Sequence, residues 1–276
     1  KKQAKAEISG IKMTSTYPRM EFSYKHPTHK DWFDVEVGDI SISGLDYTAL
    51  FKNNLLKSKD LEMKDVVLQN LKNKQIHTPP KMQPMIYTKI QGLPIRLDID
   101  TANIKNFTVI YDELPKDSEE MGRILFEGMN GRFSKLTNIA SYPTEYMHLD
   151  IDGRFMETGN FTARWDIPVN ADYDCFVLEA NLKDFDMEAL NPIFIPLAKA
   201  KMRTGFVDEF QFRTEATSMD ANANMLLLYN NLAVDILKNP ETQEKKKFLS
   251  SLANMVIKSN NPDKKKSEPR VADIHI

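Results

Sequence analysis

The sequence predicts a mainly β protein built on one elongated, curled antiparallel sheet. Apolar and polar residues alternate with period two in at least eight segments, whereas helical patterns are few and short. Hydrophobic residues make up 41% of the 276 residues, which is enough to form a core. Strands with one apolar and one polar face are typical of antiparallel sheets that have one solvated side.

The alternating segments run along most of the chain. The first two are Met20 to Tyr24 and Phe33 to Val37. After Gly38 the phase switches, so that Ile40 and Ile42 take the apolar positions, as a β-bulge produces. The later segments alternate in the same way and begin at Ile95, Phe107, Met147, Phe161, Phe176, Met225 and Leu232.

Short helices are predicted where an Asp precedes an apolar residue at helical spacing. Asp46 can cap a helix that runs through Leu50, and Asp186 can cap one through Leu190. Pro192 and Pro196 are expected to limit a helix in the next stretch. The longest helical pattern covers residues 240–258 and predicts one C-terminal amphipathic helix.

Two breaks suggest a division of the chain. The Pro-rich stretch 78–84 is a plausible boundary between an N-terminal β region, residues 1–84, and a second β region, residues 85–260. Residues 261–276 begin with a polar, Lys-rich stretch and are expected to form a tail or linker.

Two weak echoes suggest a repeated strand-and-short-helix unit. Residues 45–50 resemble residues 185–190, and in both an apolar–Asp pair leads into a short helix. Residues 63–68 (MKDVVL) likewise resemble residues 104–109 (IKNFTV).

The sequence offers little catalytic chemistry. It contains no Gly-rich phosphate loop, no Gly-x-Ser-x-Gly motif and no His-Glu-x-x-His motif. His26 and His29 lie in a turn interrupted by Pro27, which predicts a surface loop. Cys175 is the single cysteine, which excludes a disulfide framework and a Cys-based zinc site.

Paired carboxylates at strand spacing need a separate interpretation. Asp98 and Asp100 share one strand face, as do Asp150 and Asp152. Such pairs can serve acid–base catalysis or bind calcium, but here they alternate with apolar residues, which favours the solvated face of a strand. We therefore expect no enzyme activity, no metal and no cofactor. Lys and Arg number 37 against 39 Asp and Glu, a balance that argues against nucleic-acid binding.

Over residues 33–260 the chain resembles the AsmA-like proteins of Gram-negative envelopes, particularly the Bacteroidetes type, which are related in kind to TamB-like bridge proteins. The resemblance is carried by the order of strand-and-turn segments at residues 37–46, 93–100, 122–126, 182–192, 205–208 and 231–234. It implies a taco-shaped groove with a hydrophobic lining that carries phospholipids or aids outer-membrane biogenesis. It also implies a periplasmic body held to the inner membrane by an N-terminal anchor. No stretch of this sequence reaches about 18 apolar residues, so we expect a piece that begins after the anchor.

The functional expectation is a non-enzymatic envelope protein whose β-groove binds or helps transfer phospholipid acyl chains and supports outer-membrane homeostasis. The residues expected to line the groove are Leu149, Ile151, Phe161, Trp165, Phe176, Leu178, Leu227 and Tyr229.

Periodicity leaves alternatives open. The same apolar residues could pack as the closed core of a sandwich or barrel. The protein could instead be a scaffold for outer-membrane protein assembly that offers sheet edges to envelope partners without binding lipid. An enzyme acting on glycans or lipids would need a cleft that joins one Asp pair to a histidine.

Overall fold

A computed structural model describes residues 4–26, 30–76, 84–139, 146–169, 174–239, 242, 244–246, 258–263 and 268–275. These residues form one twelve-stranded sheet that does not close on itself, together with a few short helices. The predicted mainly β class is therefore confirmed. Because this sheet does not close on itself, the described residues do not form the closed barrel that periodicity also allowed.

The elements follow in chain order. The strands are β1 (Lys5–Thr14), β2 (Trp32–Ser43), β3 (Leu55–Asn73), β4 (Arg96–Leu114), β5 (Gly122–Thr137), β6 (Tyr146–Phe155), β7 (Gly159–Pro168), β8 (Cys175–Asp186), β9 (Ala200–Thr217), β10 (Ala221–Asn239), β11 (Glu244–Lys245) and β12 (Val271–His275). The α-helices are α1 (Arg19–Phe22), α2 (Tyr47–Asn53), α3 (Ile86–Gln91) and α4 (Asn191–Ala198). Two 3-10 helices, Ser23–Lys25 and Met187–Leu190, follow α1 and precede α4.

The strands lie side by side in chain order from β1 to β11, and β12 also pairs with β10. All pairs are antiparallel except β3 and β4, which run parallel from Leu55 opposite Arg96 to Asn73 opposite Leu114. The prediction of a purely antiparallel sheet is wrong at this pair. A parallel pair requires a crossover rather than a tight turn, and residues 74–95, including α3, provide it. The boundary suggested at residue 84 lies within this crossover, so the sheet continues across it.

Left-handed residues interrupt six strands. Asp65 and Asn106, both with φ of 53°, face each other between the pairs Lys64–Lys105 and Val66–Phe107. Asn106 Nδ2 donates to Asp65 Oδ1 at 2.7 Å, which joins the two neighbouring positions. Asp and Asn tolerate this conformation better than most residues. The residues with φ of 53–68° within strands are Gly10, Asp65, Asn106, Gly128, Lys135, Asp184 and Asn231, and we call them the left-handed strand residues.

The left-handed strand residues coincide with the phase switches of the sequence. In β3 the apolar positions are Leu61 and Met63 before Asp65, and Val66 and Leu68 after it. The register of β2, β3 and β4 stays one-to-one at this level, so the switch occurs without an unpaired extra residue between them. The echo between residues 63–68 and 104–109 is thus the same left-handed position in two adjacent strands. The switch predicted at Gly38 lies directly opposite Asp65, and a Cβ there would come within 3.1 Å of the Asp65 Cβ.

Helices cover the two ends of the sheet. The end at which β3 begins carries α2 and α3, and we call it the α2–α3 end. The opposite, α1–α4 end carries Phe22, which packs on buried Trp32 and Leu71, and Phe194, which packs on the cluster around Phe185.

The predicted helix caps are confirmed. The Ala49 amide donates to Asp46 at 2.9 Å at the start of α2, and the Glu188 amide donates to Asp186 at 2.9 Å at the start of the 3-10 helix. The short helix α4 contains both Pro192 and Pro196 and ends at Ala198, two residues after Pro196. Pro192 lies in the first turn, where its missing N–H leaves no bond unmade.

The C-terminal predictions need correction. Glu244–Lys245 form β11 on β10 rather than part of the predicted helix 240–258, and residues 247–257 lie outside the described residues. The predicted tail, residues 261–276, includes β12, which pairs with Asn222–Leu226. Both strands form backbone hydrogen bonds with the edge of β10 that would otherwise be unpaired. The need to pair these backbone groups overrides the helical and polar sequence patterns of the two segments.

Candidate functional site: the apolar face of the sheet

The eight predicted lining residues share one face of the sheet. Leu149 lies opposite Trp165, and Trp165 lies opposite Leu178 on the next strand. Residues directly opposite each other in antiparallel strands point to the same side. The side chains two positions along these strands, Ile151 and Phe176, therefore join the same surface.

The face continues across β9 to β10. Phe161 lies opposite Leu182, Leu182 opposite Phe210, and Phe210 opposite Leu227. Tyr229 follows two positions after Leu227 and lies opposite Val207. The eight residues lie on β6, β7, β8 and β10, and Phe210 on β9 connects the last two of these strands. We call the surface that these five strands share the apolar face.

The apolar face is only partly covered. Leu149 is buried, but the other seven predicted residues are half-buried, intermediate between core and surface. Near the α2–α3 end, Trp165 and Phe176 pack with α3 on Met147, Ile167 and Val169. The face is thus covered by a helix at this end.

At the other end, Leu227 and Tyr229 pack on the cluster around Phe185. Among the described residues, Ile151, Phe161 and Leu178 belong to none of the buried clusters. These three side chains are half-buried beside the buried Leu149 and Ala163.

Aromatic rings that the sequence reasoning missed extend the apolar face onto β5. The Phe126 ring lies 5.0 Å from the Phe155 ring and 5.2 Å from the Phe161 ring, measured between centroids. Phe126 and Phe161 belong to β5 and β7, so their rings meet across the intervening strand. The alternation of Ile124 and Phe126 after Gly122 is the sequence signal that could have identified this strand.

The opposite face of the sheet is polar and charged. Lys57 Nζ lies 2.7 Å from Asp98, and Lys105 Nζ lies 2.6 Å from Glu62. The hydrogen bond from Lys105, together with that from Lys64, lowers the pKa of Glu62. The hydrogen bond to Asp98 raises the pKa of Lys57. Glu62 therefore remains charged near neutral pH, as expected for a solvated face.

The paired carboxylates belong to this polar face. Asp98 is engaged by Lys57, while Asp100 is exposed. Arg164 Nη1 lies 3.4 Å from Asp150, and Asn130 Nδ2 donates to Asp152 at 3.3 Å. Each pair therefore sits in surface contacts along its strand.

A histidine contacts a further carboxylate, Asp166, which belongs to neither pair. His148 Nδ1 lies 2.6 Å from Asp166 Oδ1, and Arg164 Nε donates to the same oxygen at 3.1 Å. Burial alone would raise the pKa of Asp166, but the hydrogen bonds from His148 and Arg164 lower it overall. The His148, Arg164 and Asp166 side chains are 37%, 46% and 34% exposed. They form an open ion network on the sheet surface.

The remaining candidate groups stand apart from the apolar face. The His26 ring packs edge-on against Phe22 with centroids 4.7 Å apart, and His29 lies outside the described residues. Burial, followed by the charge of Asp174, raises the pKa of the Cys175 thiol, so that it stays protonated.

The part of the chain that the structure describes contains neither a candidate metal-binding cluster nor a helix that could span a membrane. No cluster of three or more His, Cys, Asp and Glu residues there is placed to hold a metal ion. None of the helices in the described ranges has the length and apolar character needed to cross a membrane.

Comparisons with protein-family models and with curated proteins give no match for this chain.

Proposed function

We propose that this protein is an AsmA-like envelope protein whose apolar face binds lipid acyl chains without catalysing a reaction. The observation that carries the proposal is the half-buried apolar face, in register over β6 to β10. The family resemblance supports the same function and favours a periplasmic location with an inner-membrane anchor. A role in lipid transfer or outer-membrane homeostasis follows from that resemblance.

The physical basis is the cost of leaving such a surface in water. Each methylene of an acyl chain that moves from water onto an apolar surface contributes about 0.8 kcal/mol. Large exposed apolar patches on a protein usually mark a ligand or partner surface. Half-buried side chains such as Phe161 and Leu178 can still gain contact area when a ligand covers them.

The dimensions of the sheet suit acyl chains. Ten spacings between the eleven strands of the main path, at about 4.8 Å each, give a width of roughly 48 Å. One leaflet of membrane hydrocarbon is about 15 Å thick, half of the about 30 Å core. The five strands of the apolar face alone span about 19 Å by the same spacing, enough for an acyl chain lying across them.

Adjacent positions on β8 provide a matched test. Leu178 points to the apolar face, whereas Val177 lies opposite Asp166 on the polar face. Both residues are half-buried and lie in the same strand. Leu178→Asn should weaken binding of a fluorescent phospholipid, and Val177→Asn should leave the binding unchanged.

The measurement is a fluorescence titration of each purified full-length chain with the labelled phospholipid. Circular dichroism and the thermal midpoint establish that both variants remain folded. Equal binding by the two variants, or no uptake by the unaltered protein, would contradict the proposal. If Leu178→Asn fails to fold, Gly131→Leu is the substitute variant for the binding measurement. A Cβ at Gly131 would meet its nearest atom at 3.8 Å, so there is room for a side chain at this position.

A second candidate function is that of a scaffold, and the open edge of β1 favours it. Among the described residues β1 pairs only with β2, and Ile8 and Met13 are 49% and 60% exposed. An unpaired strand edge can accept a strand from another chain. Photo-crosslinking in cells from positions on β1 and on the apolar face distinguishes the two functions. Protein adducts without lipid adducts would favour the scaffold.

A further inference from the structure

The most exposed large apolar side chains of the described residues lie at one end of the sheet. Phe51 in α2 is 81% exposed, and Met219 in the turn between β9 and β10 is 80% exposed. Both belong to the α2–α3 end. Three further residues at this end are 45–47% exposed: Tyr47, Leu93 and Tyr146. We call these five residues the apolar rim.

Direct contacts fix part of the apolar rim. The rings of Tyr47 and Phe51 stack with centroids 6.4 Å apart and planes 12° apart. Asn54, the C-cap of α2, donates from Nδ2 to the Pro94 carbonyl at 2.9 Å. This bond holds the end of α2 beside the loop that carries Leu93. The aromatic pair and Leu93 are therefore displayed by one connected corner.

The charge around this corner is positive. Residues 46–60 and 86–98 contain five basic residues and three acidic ones, giving a local excess of two positive charges in a chain with a net charge of −2. The basic residues are Lys52, Lys57, Lys59, Lys89 and Arg96, and the acidic residues are Asp46, Asp60 and Asp98.

Two of the acidic residues are engaged locally. Asp46 caps α2, and Asp98 pairs with Lys57. Lys52 and Lys89 are exposed, and no ion pair to either is found among the described residues. The corner therefore presents cations to solvent beside its aromatic pair.

The opposite end shows that exposure alone does not distinguish the two ends. Tyr24 at the α1–α4 end is 58% exposed, and Met20 is 46% exposed. However, residues 15–26 and 115–121 contain three basic and four acidic residues, an excess of one negative charge. The combination of exposed aromatic side chains with a local positive excess is found at the corner formed by residues 46–60 and 86–98.

We propose that the α2–α3 end docks onto the surface of an anionic lipid bilayer, with the apolar rim inserted among the headgroups. Aromatic and aliphatic side chains flanked by Lys and Arg are the combination that binds such interfaces. Docking does not depend on acyl-chain binding by the apolar face. The benefit of docking, namely that the apolar face meets the bilayer that supplies its ligand, does rest on the proposed function.

The test is co-flotation of the full chain with vesicles of phosphatidylcholine alone or mixed with phosphatidylglycerol. The unaltered protein should bind the mixed vesicles more strongly. Phe51→Ser should weaken partition about tenfold or more, because it removes the burial of a whole aromatic side chain. Lys52→Ala should weaken it about fivefold on anionic vesicles only. Tyr24→Ser, at the opposite end, is the control and should bind like the unaltered protein.

Each outcome decides the proposal. Equal flotation of Phe51→Ser and the unaltered protein, or equal losses for Phe51→Ser and Tyr24→Ser, would overturn it. Capture of an envelope protein that depends on Phe51, with vesicle binding unchanged by the substitution, would assign the rim to a protein partner and overturn it as well. Unchanged thermal midpoints for the variants exclude unfolding as the cause of any loss.

A parallel measurement separates docking from the proposed function. The Phe51→Ser variant should still take up the fluorescent phospholipid from solution while failing to float with vesicles. Normal flotation of a protein that never takes up lipid would overturn the proposed function and leave docking intact.

Discussion

Gly153 on β6 offers a test of how closely the strands approach near a bulge. Its partner strand β5 shifts register between Glu127 and Asn130, beside the left-handed Gly128. A Cβ added to Gly153 would lie 2.6 Å from Met129 Cγ, 2.8 Å from Met129 Cα and 3.1 Å from the Glu127 carbonyl oxygen. Two of these three atoms belong to the backbone, so they cannot move away without disturbing strand pairing. We therefore predict that Gly153→Ala destabilises the protein.

The magnitude follows from the same distances. Overpacking by one methyl group in a tightly packed site typically costs about 1–3 kcal/mol. Gly131 on β5 is the matched control, because a Cβ there would meet its nearest atom, Ile151 Cγ1, at 3.8 Å, an ordinary contact. Alanine is also favoured over glycine inside a strand by about 0.5–1 kcal/mol. This preference applies at both sites and cancels in the comparison, so the two variants should differ by the overpacking cost of about 1–3 kcal/mol in the free energy of unfolding, with Gly131→Ala the more stable.

Urea unfolding followed by circular dichroism provides the comparison, with the midpoint read at unchanged slope. Gly153→Ala should unfold at lower urea, and Gly131→Ala at the same or higher urea than the unaltered protein. If Gly153→Ala proves as stable as Gly131→Ala, the close approach of β5 and β6 is not present in solution and the reasoning fails.

Three further predictions concern single residues. Asn106→Val should destabilise the fold by about 1–2 kcal/mol, since a β-branched residue is strained at φ of 53°, whereas Asn106→Gly should be tolerated; urea midpoints compare them. Asp112→Ala should cost about 1.5–3 kcal/mol in the same assay, because this buried carboxylate accepts hydrogen bonds from Arg19 and Arg123. Burial, and then the hydrogen bond to Glu113, raise the pKa of Tyr111, so its stabilising contribution is complete below about pH 10 and falls as the pH rises further. Tyr111→Phe should reduce that alkaline loss of stability, and an unchanged pH profile would contradict the assignment.

Most strands and their apolar face could be predicted because period-two alternation is local information. The alternation from Met20 to Tyr24 was misleading, since these residues form α1 and the 3-10 helix after it. The predicted bulge at Gly38 is wrong, because β2 keeps its register with β1 and β3 there, whereas the echo between residues 63–68 and 104–109 reflects Asp65 and Asn106, which face each other. The eight lining residues share a face for the same reason, since register preserves alternation across strands.

What could not be predicted depends on pairing between distant segments. Alternation is identical in parallel and antiparallel strands, so the parallel pair β3–β4 left no signal except the long connection that follows Asn73. The segments Glu244–Lys245 and Val271–His275 become strands because β10 offers them an edge. Tertiary pairing there overrides weak local preferences.

The alternation pattern also could not predict which helices cover the apolar face. Pro192 and Pro196 were expected to limit a helix, and α4 contains both and covers one end of the apolar face through Phe194. Its burial against the cluster around Phe185 stabilises a segment whose own propensity is poor. Which parts of the face a helix covers could not be predicted from alternation.

Native mass spectrometry of the protein purified from a Gram-negative host tests the central proposal most directly. If the apolar face binds acyl chains, the spectrum should contain the protein mass together with adducts whose released components are phospholipids. Leu178→Asn should reduce those adducts, and Val177→Asn should retain them. A homogeneous lipid-free mass, with no adduct after incubation with phospholipid, would contradict lipid binding by the apolar face.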